Sequence, residues 1–414
     1  MENSNTIVII GAGAGGFFCA ANIKKDQHTR IILLEKTQKI LSKLSISGGG
    51  RCNVTHNNKG IAEMAKYYPR GSQFVKKTFH TFFVPDTINW FSERGLQLKT
   101  ESDNRMFPIT DTSQSVIDVL TKAAQDNDVI VHMGQMVEDI KPKNGQFILT
   151  IRGNKDIIAD KLVIATGAFP KLEQYSWLKQ LGHNIIAPVP SLFTFNIKRH
   201  PITDLMGLSV TNASVRIIGS KFQEEGPLLI THWGMSGPAV LKLSARAALF
   251  LAENNYQFSI QVNFIANKNE EELRAFLLDY QQQHPSQKIS NTQGLKLPQR
   301  LLDCLLLLSG IDKDQRWTDL PKKLLNKFIK QLNNAEFSVS GKTTFKEEFV
   351  TAGGIDLKEI NHQTMESKLN PNLFFVGEIL NIDGVTGGFN FQNAWTTAYI
   401  AAQALSQTRK SPDL

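Results

Sequence analysis

The chain has little cysteine. Cys19, Cys52 and Cys304 are far apart and odd in number, which excludes a disulfide framework and a C-x-x-C metal pattern and fits a reducing cytosol. No internal repeat or low-complexity tract stands out. The first apolar strand pattern starts almost at the N-terminus, leaving no room for a basic leader and cleavage site. The uncharged stretch through residues 7–23 is glycine-rich at its middle and does not read as a membrane span. Together these absences set the expectation of a cytoplasmic protein without membrane, metal or disulfide. Acidic residues are the minority, 38 against 46 basic ones, for a net charge of +8. A basic balance favours polyanion partners through counterion release, although a protein can also be simply basic. At 414 residues, 41% apolar and 20% charged, the chain is an ordinary soluble globular protein with room for two or three domains.

What is present is organised around residues 6–35. An apolar run at residues 7–10 reads as a buried strand. Gly11, Gly13 and Gly16 follow at G-x-G-x-x-G spacing, then an apolar helix pattern and a second strand, residues 31–34, ending at Glu35. Gly11 permits the tight turn, Gly13 lets the backbone approach a pyrophosphate, and Gly16 lets helix and strand pack closely. The helix N-terminus offers unpaired N–H groups to the phosphates, and Glu35 stands where a carboxylate can accept from ribose hydroxyls. A second glycine-rich loop, Gly48-Gly49-Gly50, precedes Arg51. Its successive backbone N–H groups can bind an anion, Arg51 can add charge, and Ser47, Asn53 and Thr55 add neutral hydrogen-bonding groups.

Residues 61–128 read as helices with short breaks, with Trp90 and Phe91 in the core and an amphipathic helix over residues 113–127. Residues 129–132 make a third parallel strand. Residues 137–164 give short alternating strands with a turn at Lys143-Asn144-Gly145, ending in Leu162-Val163-Ile164-Ala165-Thr166-Gly167. This order suits an FAD-binding domain better than a plain NAD domain. Pro188 and Pro190 mark a boundary, after which residues 193–265 are β-rich, with a helix start at Gly237-Pro238. Residues 269–334 are helical, opening on an Asn269–Glu272 capping box. The helix after Pro321 places Lys323, Lys327 and Lys330 at i, i+4, i+7. That stripe suits a phosphate backbone or merely a solvated face. Residues 337–351 return to β structure, and TAGGIDLKEIN reads as a glycine-bearing loop. Residues 373–376 form a strand ended by Gly377-Glu378, and Gly387-Gly388 precedes a helix through Ala394 and Tyr399. Glu378 can bind ribityl or ribose hydroxyls, and the helix N-terminus can stabilise negative charge on a reduced flavin. No second G-x-G-x-x-G occurs, so a dedicated NAD(P)H domain is missing and a nicotinamide reductant would dock transiently.

The motifs KLSISGGGRCNVT, THWGMSGPAVLKLS, TAGGI and GEILNIDGVTGGFNFQNAW resemble those of the BaiN/RdsA family of bacterial FAD proteins, along nearly the whole chain. The resemblance implies an α/β fold: a discontinuous Rossmann-like FAD-binding domain (residues 1–190 and 349–414), an inserted β-barrel-like domain (191–266, with a return strand at 336–348) and a small helical domain (267–335). Carried over by position, Gly11, Gly13, Ala14, Gly15, Gly16, Glu35 and Lys36 match the dinucleotide motif. Lys43, Ser47, Gly48, Gly49, Arg51, Cys52 and Asn53 match the loop that lies along the cofactor. Val137 matches the position whose backbone meets the adenine. Thr166 and Gly167 match the strand end, and Gly377, Glu378, Asp383, Gly387, Gly388, Asn390 and Phe391 match the C-terminal flavin motif. Ala168, His56, Asn381 and Ala398 depart from the family pattern.

One branch of the family resembles a 23S rRNA dihydrouridine synthase, and others are reductases of unsaturated steroids or aminoacetone-oxidase-like proteins. The resemblance implies FAD, with NAD(P)H as transient reductant, and three readings follow. The first is reduction of a uracil C5=C6 bond in 23S rRNA, with the base leaving its stack. Cys52 and His232 are the candidate proton donors. Cys52 is equally a small packing residue and His232 a structural histidine. Trp233 can stack on a base or belong to the core. Lys323, Lys327 and Lys330 would then contact RNA. The second reading is a small-molecule reductase or oxidase. The third is an RNA-binding flavoprotein whose FAD is structural. Oligomeric state is not legible.

Overall fold

The computed structural model describes residues 5–343 and 350–407. They form two compact units: Met1–Pro190 with Lys346–Leu414, and Ser191–Phe345.

The first unit begins with β1 (Asn5–Ile10), whose Ile7–Ile10 side chains are buried. The chain turns at Gly11, φ 110°, into α1 (Ala14–Asn22), then runs parallel to β1 as β2 (Thr29–Leu34). The α2 helix (Ser113–Asp126) is N-capped by Thr112 and buries Val116, Leu120 and Ala124, an i, i+4, i+8 stripe. After it comes β3 (Ile130–His132). A meander of Val137–Lys143, Gln146–Ile151 and Ile157–Ala159 turns at Asn144 and Gly145, both at positive φ. It leads into β4 (Lys161–Ile164) and later β5 (Ile185–Ser191). Pro188 and Pro190 lie inside β5. That strand belongs to a two-stranded sheet, where an open edge asks nothing of a missing N–H.

The second unit holds β6 (Thr194–Asn196), β7 (Ser209–Ile217), β8 (Gln223–Thr231), β9 (Gly234–Ser236), α3 (Pro238–Arg246) and β10 (Gln257–Asn263). The helices include α4 (Gln299–Ser309) and α5 (Lys322–Asn333), followed by β11 (Ala335–Ser340) and β12 (Lys342–Thr343). Its seven-stranded antiparallel sheet has the order β11-β10-β7-β8-β9-β6-β12. The two outer strands are consecutive in the chain, parted only by Gly341, so the sheet closes on itself like a barrel and leaves little open edge. One continuous core joins sheet residues such as Val215, Ile260 and Phe337 to helix residues such as Leu305, Trp317 and Phe328.

The first unit resumes with β13 (Val350–Ile355), β14 (Leu373–Phe375) and α6 (Phe389–Leu405). The TAGGI stretch is therefore a strand and not the loop expected from its glycines. Those glycines serve close packing: a Cβ on Gly353 would meet the Ala187 carbonyl oxygen at 2.6 Å, and one on Gly354 the Ile379 oxygen at 2.3 Å. The main sheet of this unit is all parallel, in the order β14-β4-β1-β2-β3. Helices α1 and α6 pack through Phe18 and Trp395, with ring centroids 5.1 Å apart. Because every strand runs the same way, all five carboxyl ends open onto one edge, where such folds bind ligands.

Candidate functional site

The glycines at the β1–α1 turn have distinct surroundings. A Cβ on Gly11 would lie 2.4 Å from the Ala165 oxygen, and one on Gly16 would lie 1.9 Å from the Gly11 oxygen. Both positions need glycine for backbone packing. A Cβ on Gly13 would meet nothing within 4 Å. Gly13 is the N-cap of α1 and no side chain caps the helix, so its first N–H groups face open space suited to phosphate. Ala14 and Gly15 continue this turn, with Gly15 beside Val376 at the end of β14.

Glu35 follows β2. One carboxylate oxygen accepts from Ala12 N–H at 3.2 Å, and the other accepts from Thr37 N–H and its hydroxyl at 2.9 Å. The acid is thereby held beside the glycine turn. The neighbouring strand end exposes Val131, Met133 and Met136, an apolar ribbon that leads to Val137. Lys36 is exposed.

On the other side of β1, Gly167 (φ 70°) is 3.7 Å from Glu378 Oε2, measured from where its Cβ would stand. Glu378 accepts from Lys43 Nζ at 2.7 Å and from Thr351 N–H at 3.1 Å. The Thr166 hydroxyl donates to the Gly167 carbonyl at 2.9 Å. Gly377, also at positive φ, donates its N–H to the Thr397 hydroxyl at 2.9 Å. Thus Gly11–Gly16, Glu35, Lys43, Gly167 and Glu378 gather at one edge of the sheet.

Gly48, Gly49 and Gly50 all have left-handed backbone, with φ of 59°, 70° and 84°. Gly48 and Gly49 are exposed, and Ser47 turns its hydroxyl to the Leu44 carbonyl at 2.9 Å. Asn53, oriented by its hydrogen-bond network, accepts from Gly388 N–H at 3.0 Å. That contact ties the loop to the N-terminus of α6, where Gly388 is an uncapped N-cap. Further ties are Trp395 Nε1 to the Val54 carbonyl at 2.9 Å and the Thr55 hydroxyl to Gln392 Oε1 at 2.6 Å.

Several expected site residues have other engagements. Arg51 was expected to offer a charge to an anion. Instead its guanidinium donates to Glu101 at 2.6 Å, lies 3.4 Å from Asp111 and stacks on Phe107. The Glu101 carboxylate holds its pKa above the usual value. Asp383 is fully buried in a two-point ion pair with Arg70. Asn390 brackets Gly384, accepting from its N–H at 2.8 Å and donating to its carbonyl at 2.9 Å. Gly387 lies against the Phe389 ring, and Phe391 stacks on Trp395 with centroids 5.7 Å apart. Cys52 is fully enclosed, and burial pushes its thiol up to about 12. Its surroundings match the packing role, because a neutral thiol without exposed surface presents no proton to a substrate.

In the second unit His232 is exposed and its ring meets Trp233 edge-on at 4.3 Å, so it is not a buried structural histidine. Lys323, Lys327 and Lys330 are all exposed on α5. Lys330 also makes an exposed ion pair with Glu336 at 3.0 Å, whereas Lys323 and Lys327 do not pair with it. These two make no ion pair among the described residues. Arg70 and Glu101 were not singled out from sequence and no local pattern marks them, while Thr351 and Gln392 lie within the TAGGI and GFNFQNAW motifs without having been given a role. Among the described residues no helix is long and apolar enough to cross a membrane, and no group of three ligating side chains could hold a metal ion.

The uncapped helix over an open Gly13, flanked by carboxylates at two strand ends, fits a dinucleotide cofactor. Fold and site together define a Rossmann-type dinucleotide-binding protein. The chain belongs to the family described as HI0933-like protein Rossmann domain, which it matches over residues 5–404. It is 29% identical over 418 residues to a ribosomal RNA dihydrouridine synthase of Escherichia coli (strain K12), covering 98% of each chain. It is 26% identical over 412 residues to a 3-dehydro-bile acid delta(4,6)-reductase of Clostridium scindens, covering 97% of this chain and 99% of that one. A solved 3-ketosteroid-delta4-(5alpha)-dehydrogenase from Rhodococcus jostii RHA1 shares the fold, with a TM-score of 0.51, 12% identity and coverage of 99% and 98%.

Proposed function

We propose that the chain binds FAD at the carboxyl edge of the parallel sheet and reduces a uracil C5=C6 bond of 23S rRNA to dihydrouridine in the cytoplasm, with NAD(P)H as reductant. The observation that carries the substrate is the end-to-end likeness to a ribosomal RNA dihydrouridine synthase. The net charge of +8 supports a polyanion.

FAD, when bound, supplies the hydride chemistry. The chain's residues bind and orient. The α1 N-terminus and the Gly13 backbone hold the pyrophosphate, Glu35 accepts from a ribose hydroxyl, and Glu378, kept in place by Lys43 and Thr351, accepts from the remaining polyol. The Gly48–Gly50 loop adds backbone N–H groups, with Asn53 fixing it to α6. Arg70–Asp383 and Asn390–Gly384 hold the turn before α6 in shape. Reduction of uracil adds a hydride at C6 and a proton at C5, and the base must leave its stack to be reached.

A second reading, reduction of a small unsaturated molecule, is favoured by the bile acid reductase among the relatives. Deletion of the gene in its host, followed by nucleoside mass spectrometry of 23S rRNA, separates the two. Loss of dihydrouridine that returns with the wild-type gene is the expected result. Unchanged rRNA overturns the RNA reading and directs the reduced enzyme to unsaturated small molecules.

A further inference from the structure

The motif Thr231-His232-Trp233 lines a groove of about 330 Å³ in the second unit, walled also by Met206 and Leu229. We propose that this groove grips one unstacked base of a single-stranded rRNA segment. The inference rests on the reading of rRNA as substrate.

Four observations carry it. The walls are apolar and uncovered, with Met206 62% exposed and Leu229 36% exposed. The hydrogen-bonding groups at the groove are unsatisfied. His232 is exposed and makes no hydrogen bond or ion pair among the described residues, and the Thr231 hydroxyl is buried without a partner there. The aromatic wall is fixed: Trp233 Nε1 donates to the Thr194 hydroxyl at 3.0 Å, and Gly234 allows the tight β8–β9 turn because its Cβ would fall 2.1 Å from the Phe195 oxygen. Finally, the Trp233 carbonyl accepts from Ile197 N–H at 2.8 Å, and Lys198 and Arg199 follow directly in the chain. Both are exposed and neither makes an ion pair among the described residues.

Apolar walls with an unoccupied imidazole suit a planar heteroaromatic ring, which stacks by its face and bonds by its edge. The groove itself carries no lysine or arginine, so it does not suit a phosphate. The two cations stand outside it, where the strand on either side of a gripped base would run. An apolar peptide segment would use the walls but not these two cations.

The test uses the full chain loaded with FAD and an unmodified 23S rRNA transcript, with affinity measured over a potassium chloride series. Met206→Glu and His232→Ala are each expected to weaken binding about tenfold, the uncharged His232→Ala without changing the salt slope. The double variant Lys198→Glu/Arg199→Glu is expected to flatten the slope by about 1.4. An unchanged circular dichroism spectrum and melting temperature show that each variant is folded. In the wild-type protein, a transcript carrying 5-bromouridine is expected to crosslink within residues 229–233, which needs no variant at all. If wild type binds the transcript but Met206→Glu and His232→Ala bind as well, or the crosslink falls elsewhere, the groove assignment is overturned while the rRNA reading stands. If wild type does not bind the transcript and deletion leaves rRNA dihydrouridine unchanged, both fall.

Discussion

Lys43 and Glu378 are 335 positions apart in the chain, yet the lysine ammonium donates to the carboxylate at 2.7 Å. The pair fixes one wall of the sheet edge that would hold FAD. Glu378→Gln keeps the shape and removes the charge, and FAD affinity is expected to fall about fivefold. The effect is moderate because Lys43 is half exposed and its attraction is screened by solvent. Flavin retained after dialysis, read from the absorbance ratio of flavin to protein, checks it. Unchanged retention would remove Glu378 from the site.

The glycine turn separates binding from folding. Gly13→Ala puts a methyl into open space, so melting temperature should stay near wild type while bound flavin is lost. Gly16→Ala drives a methyl into the Gly11 carbonyl and should destabilise the protein by about 3 kcal/mol or more. Thermal melts of both apoproteins, set beside their flavin content, distinguish the two glycines.

Asp383 is fully buried against Arg70. Asp383→Ala leaves a guanidinium with little solvent to replace the carboxylate, at a cost of about 3 kcal/mol or more. Urea unfolding measures this. The double variant Arg70→Met/Asp383→Leu should recover much of the loss, since a buried pair replaced by apolar groups is often nearly neutral. A double variant no better than Asp383→Ala would show that the pair has a further structural role.

His183 sets a pH dependence. Its ring is buried between Glu359, 2.9 Å from Nδ1, and the Ser367 hydroxyl, 3.1 Å from Nε2. Burial lowers its pKa despite the opposing pull of Glu359. The unfolded chain then takes up a proton that the native state refuses. This contribution to stability is complete above the ordinary histidine range, about pH 6.5, and is lost as pH falls below it toward the lowered native value. The urea midpoint should drop between pH 7.5 and 5.5, and His183→Gln should flatten that drop.

Local patterns carried the nucleotide-binding half of the fold. The Gly11–Gly16 spacing, the apolar run before it and Glu35 after β2 lie within a few turns of chain, and each has a local physical cause. The same holds for the Asn269 cap, where Glu272 N–H donates to Asn269 Oδ1 at 2.9 Å, and for Pro238 in the first turn of α3. Long-range pairings were not legible. Arg51 looks free in sequence because Glu101 and Asp111 lie 50 and 60 residues away. Arg70 and Asp383 are 313 apart, and nothing near either marks the other. TAGGI misleads because glycine signals a turn locally, whereas its use against Ala187 and Ile379 is a tertiary fact.

The all-parallel sheet also fixes when the cofactor edge can exist. The strand β14 and the helix α6 come from the last part of the chain, after the whole Ser191–Phe345 unit. During synthesis β4 waits with one side unpaired while that unit is made, and domains formed earlier in the chain fold first. A ribosome stalled anywhere before residue 378 leaves the glycine turn without its second carboxylate. Uptake of the proposed flavin would therefore be a late event in the life of each molecule, and a protein truncated near its C-terminus is expected to lose the cofactor before it loses its inserted barrel.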